Sequence, residues 1–140
     1  MVINKHDCKE ELREIDLKVT PARLEILRFL ERSNSPMDVV TIKSYLDKKK
    51  IKTDLVTVFR IINTFTEKGI TKQISFNEGK FRYELASKKD HHHLICKNCG
   101  SVEDISDCNI ENLEKDIQIK KEFKVESHSL EFFGQCRSCQ

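Results

Sequence analysis

The sequence predicts an α+β fold in two parts, because its hydrophobic period changes along the chain and four of its cysteines fall into two pairs. Before residue 86, apolar residues recur at helical spacing and then alternate as in a β-hairpin. After residue 86, alternating segments flank one helical segment and lead to a Cys-x-x-Cys pair. Helices followed by a two-stranded hairpin describe a winged helix-turn-helix domain, which we place at 1–85. We expect a hinge at 86–90 and a small α/β domain with a structural zinc site at 91–140.

Four helices are predicted in the first part, three of them with a clear capping residue. The first covers about 10–16, and the second begins at Thr20-Pro21, since proline is favoured at the first helical position. Asp38 and Asp54 are placed to cap the third and fourth helices. Gly69 supplies the C-terminal stop of the fourth.

Strands are predicted from alternating apolar residues on both sides of the polar turn 77–80. In the second part, strands are expected at 93–96 and 101–105, joined by a Cys-Lys-Asn-Cys-Gly turn. A helix is expected at 109–121, and a further alternating segment at 125–133 precedes the last cysteine pair.

Composition and charge narrow the class of protein. Hydrophobic residues make up 38% and charged residues 34% of the chain, which is typical of a globular protein and not of a disordered one. We find no run of about 18 apolar residues that could cross a membrane and no secretory signal, so we expect a cytoplasmic protein. Residues 1–85 hold 17 Lys and Arg against 13 Asp and Glu, and residues 86–140 hold 8 against 10. A basic first part fits a nucleic-acid-binding domain.

The two Cys-x-x-Cys pairs, Cys96/Cys99 and Cys136/Cys139, are the strongest motif. In a reducing compartment such pairs are metal sites or redox sites more often than disulfides. Four thiolates suit a tetrahedral zinc ion and leave no open position for a substrate. A thioredoxin-like dithiol is the alternative, but two pairs favour a structural zinc site.

Three consecutive histidines precede the first cysteine pair. On a strand, alternate side chains face opposite ways, so His91 and His93 would share one side and His92 would lie on the other. One histidine run can therefore supply two metal sites, with Asp90, Glu103, Asp104 and His128 as further donors. Such donors accept zinc, iron or manganese. The alternative is a solvated surface tract.

These motifs together resemble the ferric-uptake-regulator family of bacterial transcription factors. The resemblance is carried by His-x-His-x-x-Cys-x-x-Cys-Gly at 91–100, Cys-x-x-Cys at 136–139 and Thr57-Val-Phe-Arg60, and it extends from about Val19 to Cys139. It implies a winged helix that binds operator DNA, a C-terminal α/β domain that forms a homodimer, and a regulatory metal at the hinge.

The resemblance also implies particular ligands. The structural Zn²⁺ would bind Cys96, Cys99, Cys136 and Cys139. The regulatory hinge metal, Zn²⁺ or Fe²⁺/Mn²⁺, would bind Glu84, His91, His93 and Asp104. A second possible site would use Asp90, His92, Glu111 and His128.

The sequence departs from the family pattern in two places. It has no histidine between His6 and His91, so a hinge histidine found in many relatives is missing, and whether His6 or Cys8 replaces it stays open. The remaining four ligands suit a tetrahedral ion. Phe59 stands where relatives usually carry tyrosine. Cys108 and the histidine triplet resemble the zinc-sensing branch, whereas Glu84 resembles the iron and manganese branches. We favour zinc slightly; iron, manganese or peroxide sensing is the alternative.

The expected function is a metal-dependent repressor of metal-ion uptake genes that binds a palindromic operator in double-stranded DNA. The fourth helix would enter the major groove, and lysines of the flanking loop and the wing would contact phosphates. The residues expected to contact DNA are Thr57, Phe59, Arg60, Asn63, Lys52 and Arg82, together with Lys72 and Lys80.

Two other classes of protein are alternatives. A zinc deaminase should carry His-x-Glu or Cys-x-Glu and a proline before its Cys-x-x-Cys, and neither pair here follows a proline, so we do not expect an enzyme. A zinc-stabilised interaction module without DNA binding is the remaining alternative, and the capped helix that carries Thr57 and Arg60 argues against it.

Overall fold

A computed structural model describes residues 7–88, 91–106 and 108–140. Contacts divide the chain into two compact units, Met1–Lys88 and Lys89–Gln140, and each is described by itself below. The described helices include none that is both long and apolar enough to cross a lipid bilayer.

The N-terminal unit begins with four helices, α1 (Cys8–Glu14), α2 (Pro21–Arg32), α3 (Val39–Lys48) and α4 (Leu55–Glu67). The three predicted caps are confirmed. Thr20, Asp38 and Asp54 each accept a hydrogen bond from the backbone N–H three residues further on. These side chains satisfy N–H groups that the first helical turn leaves without a partner.

The predicted hairpin follows α4. Gly69 adopts a left-handed conformation, with φ of 76°, and ends the helix as expected. Strands β1 (Thr71–Ser75) and β2 (Phe81–Leu85) then pair antiparallel, with Lys72 directly opposite Glu84. Four helices and this hairpin form a winged helix-turn-helix, and we call the hairpin the wing.

A hydrophobic core holds the N-terminal unit together. Its fully buried side chains come from every helix and from the wing, and they include Leu12, Ile26, Leu27, Leu30, Ile42, Leu46, Val58, Ile62, Phe65, Tyr83 and Leu85. The helical period therefore places one apolar face of each helix inward. The opposite face of α4 stays exposed.

Polar contacts fix the wing to the segment before α3. Met37 and Tyr83 exchange two backbone hydrogen bonds of 2.9 and 2.8 Å, which adds a bridge to β2. The Arg82 guanidinium makes two bonds to Glu78, of 2.9 and 2.8 Å, and a third of 3.3 Å to the Pro36 carbonyl. The orientation of the wing relative to α3 is thus set within this unit.

The C-terminal unit is a three-stranded sheet with one helix. Its elements are β3 (His92–Cys96), β4 (Val102–Ile105), α5 (Ile110–Lys121), β5 (Glu131–Gly134) and a short 3-10 turn at Arg137–Cys139. The strand order is β4-β3-β5, with β4 antiparallel and β5 parallel to β3. The strand expected over 125–133 is wrong in extent, because regular pairing covers only Glu131–Gly134.

The α5 helix buries none of its residues. Its apolar residues Leu113 and Ile119 are exposed, as are Phe123, Phe132 and Phe133. Several large exposed apolar side chains on a small unit are typical of a protein with an interaction surface.

The Asp38 carboxylate serves both α3 and the wing, which leads to a stability prediction. Burial favours its neutral form, but hydrogen bonds from Lys80 (2.6 Å) and the Thr41 N–H (2.7 Å) outweigh burial and hold the pKa of Asp38 below its ordinary 3.8. We expect Asp38→Ala to lower the free energy of unfolding at pH 7 by about 1 kcal/mol. Because the folded-state pKa is depressed, this difference should be full at neutral pH and disappear as the pH falls through the folded-state pKa.

Denaturant titrations of both proteins between pH 7 and pH 2 measure this difference. Asp38→Asn, which keeps a capping oxygen but loses the charge, should fall between wild type and Asp38→Ala. An Asp38→Ala penalty that grows as the pH falls would contradict the assignment.

Candidate metal centres and DNA-binding helix

The four paired cysteines converge in the C-terminal unit. Cys96 ends β3, Cys99 lies in the turn after it, Cys136 precedes the 3-10 turn, and Cys139 is the last residue of that turn. Their sulfur atoms all lie within 4.8 Å of one another. The Sγ atoms of Cys99 and Cys136 are 3.7 Å apart, close to the roughly 3.8 Å expected for two sulfurs 2.3 Å from a tetrahedral zinc ion. The chemistry and the spacing of these donors fit zinc.

Backbone N–H groups favour the anionic form of the first sulfur. The Cys99 and Cys136 amides donate to Cys96 Sγ at 3.5 and 3.3 Å and lower the pKa of Cys96 to about 6. The neighbouring Ser101 lowers the pKa of Cys99, whereas the hydrogen bond with Cys136 raises the pKa of Cys139 to about 12. Four thiolates cannot share this space without a cation, and zinc would supply it.

A second group of donors lies on β3, on the neighbouring strand β4 and just before β3. His93 on β3 stands directly opposite Asp104 on β4. The His93 Nε2 and His91 Nε2 atoms lie 3.6 and 3.8 Å from the two oxygens of Asp104. The buried oxygen Oδ1 of Asp104 accepts no hydrogen bond within the described part of the chain. Ligands of one ion lie roughly 3–3.5 Å apart, so a divalent cation fits these donors and would satisfy this oxygen.

His92 belongs to a third group of donors, together with His128 and Glu114. Its Nε2 lies 2.8 Å from His128 Nε2, and His128 Nδ1 lies 2.7 Å from Glu114 Oε1. The alternation predicted for the histidine triplet is therefore confirmed, since His92 belongs to a different group from His91 and His93. The carboxylate at His128 is Glu114 and not the expected Glu111, which is exposed. The two glutamates are three residues apart, so they occupy the same face of α5 and the sequence alone does not separate them.

Glu84, the expected ligand from the wing, lies on β2 of the N-terminal unit. Its side chain is only 1% exposed, and its Oε1 lies 3.2 Å from the ammonium group of Lys72. A carboxylate so deeply buried needs a positive partner.

Other candidate ligands have different surroundings. The Cys8 thiol is buried beside Glu31, and burial followed by the charge of Glu31 raises the pKa of Cys8 to about 11. Cys108 is half-buried and belongs to neither described metal-ligand group. His6 and Asp90 lie outside the described residues.

The exposed face of α4 carries the expected DNA contacts. Thr57, Phe59 and Arg60 are exposed and Asn63 is half-buried, while Lys52 is exposed just before the helix. Arg82 differs, since its side chain is 13% exposed and bonded to Glu78. The structure therefore gives Arg82 a role in positioning the wing, which sequence reasoning missed.

An apolar groove lies beside the exposed face of α4. It has a volume of about 580 Å³ and lies between the first turns of α3 and α4 and the wing. Val40, Val56, Phe59 and Phe81 line it and are each about half exposed or more. Apolar side chains on a groove-binding helix suit contact with thymine methyl groups.

A winged helix with an exposed recognition helix, joined in one chain to metal-ligand clusters, defines a metal-responsive DNA-binding regulator. Comparison with known proteins agrees. The pattern that defines the Ferric uptake regulator family matches residues 14–133. The ferric uptake regulation protein of Legionella pneumophila is 32% identical over 132 residues, covering 94% of this chain and 97% of its own.

Two solved structures share the fold. The Vibrio cholerae ferric uptake regulator superposes with a TM-score of 0.81 at 34% identity, over 93% of this chain and 100% of its own. The Helicobacter pylori ferric uptake regulator, whose structure has three functional metal binding sites, gives 0.81 at 27% identity, over 94% and 87%.

The chain belongs to the ferric uptake regulator family. It is a metal-responsive, DNA-binding transcription regulator and not an enzyme, as the sequence analysis expected.

The four-cysteine cluster leads to a prediction about zinc content. Cys136→Ser should lose about one equivalent of zinc and lower the melting temperature, because three remaining thiolates bind zinc far less tightly. Atomic absorption and thermal unfolding measure the two effects. Cys108→Ser, which also removes one thiol from the C-terminal unit, is the matched control and should keep its zinc. Equal zinc content in Cys136→Ser and wild type would exclude the site.

Proposed function

We propose that this protein is a cytoplasmic, metal-dependent repressor that controls metal-ion uptake genes by binding a palindromic operator as a homodimer. The observation that carries the proposal is that β3 contributes to two chemically different donor groups, through Cys96 and through His93. One consists of sulfur atoms and suits a permanent zinc ion, and the other consists of nitrogen and oxygen atoms and suits an exchangeable one.

The regulatory metal is proposed to bind His91, His93, Asp104 and Glu84. The first three lie together in the C-terminal unit, whereas Glu84 lies on the wing, four residues before the end of the N-terminal unit. A metal that takes ligands from both units would favour one arrangement of the DNA-binding domains. To shift such an equilibrium from 1:99 to 99:1 requires about 5.5 kcal/mol of differential binding, which is well below typical metal-binding free energies.

Zinc is the metal that we propose as corepressor. The donor set holds two nitrogens and two carboxylates, and the sequence offers no further hinge histidine. Four donors complete a tetrahedral zinc site but leave an octahedral Fe²⁺ or Mn²⁺ ion two ligands short. The pair His92–His128 with Glu114 is proposed as the second possible site.

The homodimer is proposed to form through the C-terminal unit. The exposed apolar residues of α5 and β5 would be covered in a dimer, which would explain why α5 buries none of its residues within one chain. A two-fold dimer presents two winged helices, and this is the reason to expect a palindromic operator.

The hinge assignment predicts that Glu84→Ala and His91→Ala remain folded dimers but lose metal-dependent operator binding, because each removes one ligand of the regulatory ion. Gel-shift titrations against Zn²⁺, Fe²⁺ and Mn²⁺ measure operator binding, and light scattering measures the dimer. Lys97→Ala, a substitution in the exposed turn after β3, is the control. Full metal response in both ligand variants would exclude the hinge site, and a response to Fe²⁺ or Mn²⁺ but not Zn²⁺ would exclude zinc.

The recognition helix predicts a separate result. Arg60→Ala should weaken operator binding by at least about tenfold at saturating metal, because an arginine that bonds a guanine edge contributes about 1–3 kcal/mol. The zinc content and the melting temperature should not change, since Arg60 is exposed. Fluorescence anisotropy with a labelled operator measures the affinity. Wild-type affinity in Arg60→Ala would remove this residue from the DNA interface.

A further inference from the structure

Lys72 and Glu84 form a cross-strand pair on the wing. They are directly opposite in the register of β1 and β2, and Lys72 Nζ lies 3.2 Å from Glu84 Oε1. The Glu84 side chain is 1% exposed, whereas that of Lys72 is 48% exposed. A buried carboxylate is therefore joined to an ammonium group that reaches it from the solvent side.

The same carboxylate is the ligand that the wing offers to the regulatory metal. We infer that Lys72 competes with this metal for Glu84 and thereby sets the metal concentration at which the sensor fills. The inference rests on the proposed function, because it takes Glu84 as a ligand.

Two physical effects act in the same direction. Oε1 of Glu84 lies in an ion pair with the Lys72 ammonium group, 3.2 Å away, and a metal that binds this oxygen must weaken or replace that ion pair. In addition, a divalent cation at Glu84 would lie close to a positive ammonium group, and like charges at short range repel. Both effects lower the affinity for metal, so the lysine should raise the filling threshold of the sensor.

The other cations of the wing have partners of a different kind. Lys80 pairs with Asp38 and Arg82 pairs with Glu78, and neither acid is a proposed ligand. Among these three described cations, Lys72 is the one whose acidic partner is expected to bind metal. Lys80 therefore provides a matched control with the same charge, on the same hairpin.

If Lys72 instead assisted metal binding, its removal would change the metal affinity in the opposite direction. If the ammonium group only held Glu84 in place for the metal, its removal would leave the carboxylate misplaced and would weaken metal binding. Competition instead requires that metal binding become tighter when the charge is removed. The direction of the change thus separates the two roles.

The experiment compares Lys72→Met, Lys72→Arg and Lys80→Met with wild type, each purified with its structural zinc in place. Zn²⁺ is titrated in competition with a chromophoric chelator, without DNA. The equivalent that is lost in His91→Ala identifies the regulatory site. Methionine keeps most of the aliphatic stem of the lysine, and arginine keeps its charge.

Lys72→Met should bind Zn²⁺ at the regulatory site at least about tenfold more tightly, which corresponds to about 1.4 kcal/mol. Lys72→Arg and Lys80→Met should match wild type. The difference between Lys72→Met and wild type should shrink as the ionic strength rises, since salt screens the half-exposed ammonium group, and a purely structural role would not produce this dependence.

Unchanged or weaker Zn²⁺ binding in Lys72→Met would overturn the inference. The Glu84→Ala variant distinguishes a failure of the competition hypothesis from a failure of the hinge-site hypothesis. If Glu84→Ala loses the regulatory equivalent while Lys72→Met behaves as wild type, only the competition is wrong. If Glu84→Ala binds Zn²⁺ as wild type does, the hinge site itself is wrong and the inference fails with it.

Discussion

The convergence of four cysteine sulfurs is the constraint on which the C-terminal unit depends. The buried side chains of this unit, within the described residues, are His92, His93, Ile95 and Cys96, all on one strand. So little apolar surface cannot offset the entropy of ordering about fifty residues. The strand β5 pairs parallel to β3, and such a pairing requires a long connection whose closure costs further entropy. A zinc ion bound by the four sulfurs would join the end of β3 to the residues after β5 and close this connection.

The N-terminal unit is stabilised in another way. Its helices and wing share a continuous hydrophobic core, and its helix starts are capped by side chains of their own segments. The polar contacts between the wing and residues 36–38 then fix the position of the wing relative to α3. The packing of this unit therefore comes from its own side chains.

The predictable features are those that depend on neighbours in sequence. The caps Thr20, Asp38 and Asp54 act within one helical turn, and a Cys-x-x-Cys pair carries its geometry in its spacing. Features that depend on tertiary pairing are not visible in the sequence. The role of Arg82 in positioning the wing depends on a bond to Pro36 that crosses 46 residues of sequence. Glu114 replaced Glu111 beside His128 because the choice between two residues on one helix face depends on how α5 packs. The pair Lys72–Glu84 depends on a hairpin register that the turn alone did not define.

The separation of the donor groups into different candidate sites follows from the geometry of β3. Successive side chains of a strand point to opposite faces, so His93 meets Asp104 while His92 meets His128. Cys96 ends the same strand and joins the sulfur cluster. One five-residue strand thus contributes to three groups of donors, one made of sulfur and two made of imidazole and carboxylate. Thiolates hold zinc tightly, whereas imidazole and carboxylate groups bind it more weakly and exchange it. A regulator that keeps one ion to remain folded and releases another to respond, as we propose, needs both kinds of donor, and the alternation of this strand supplies them.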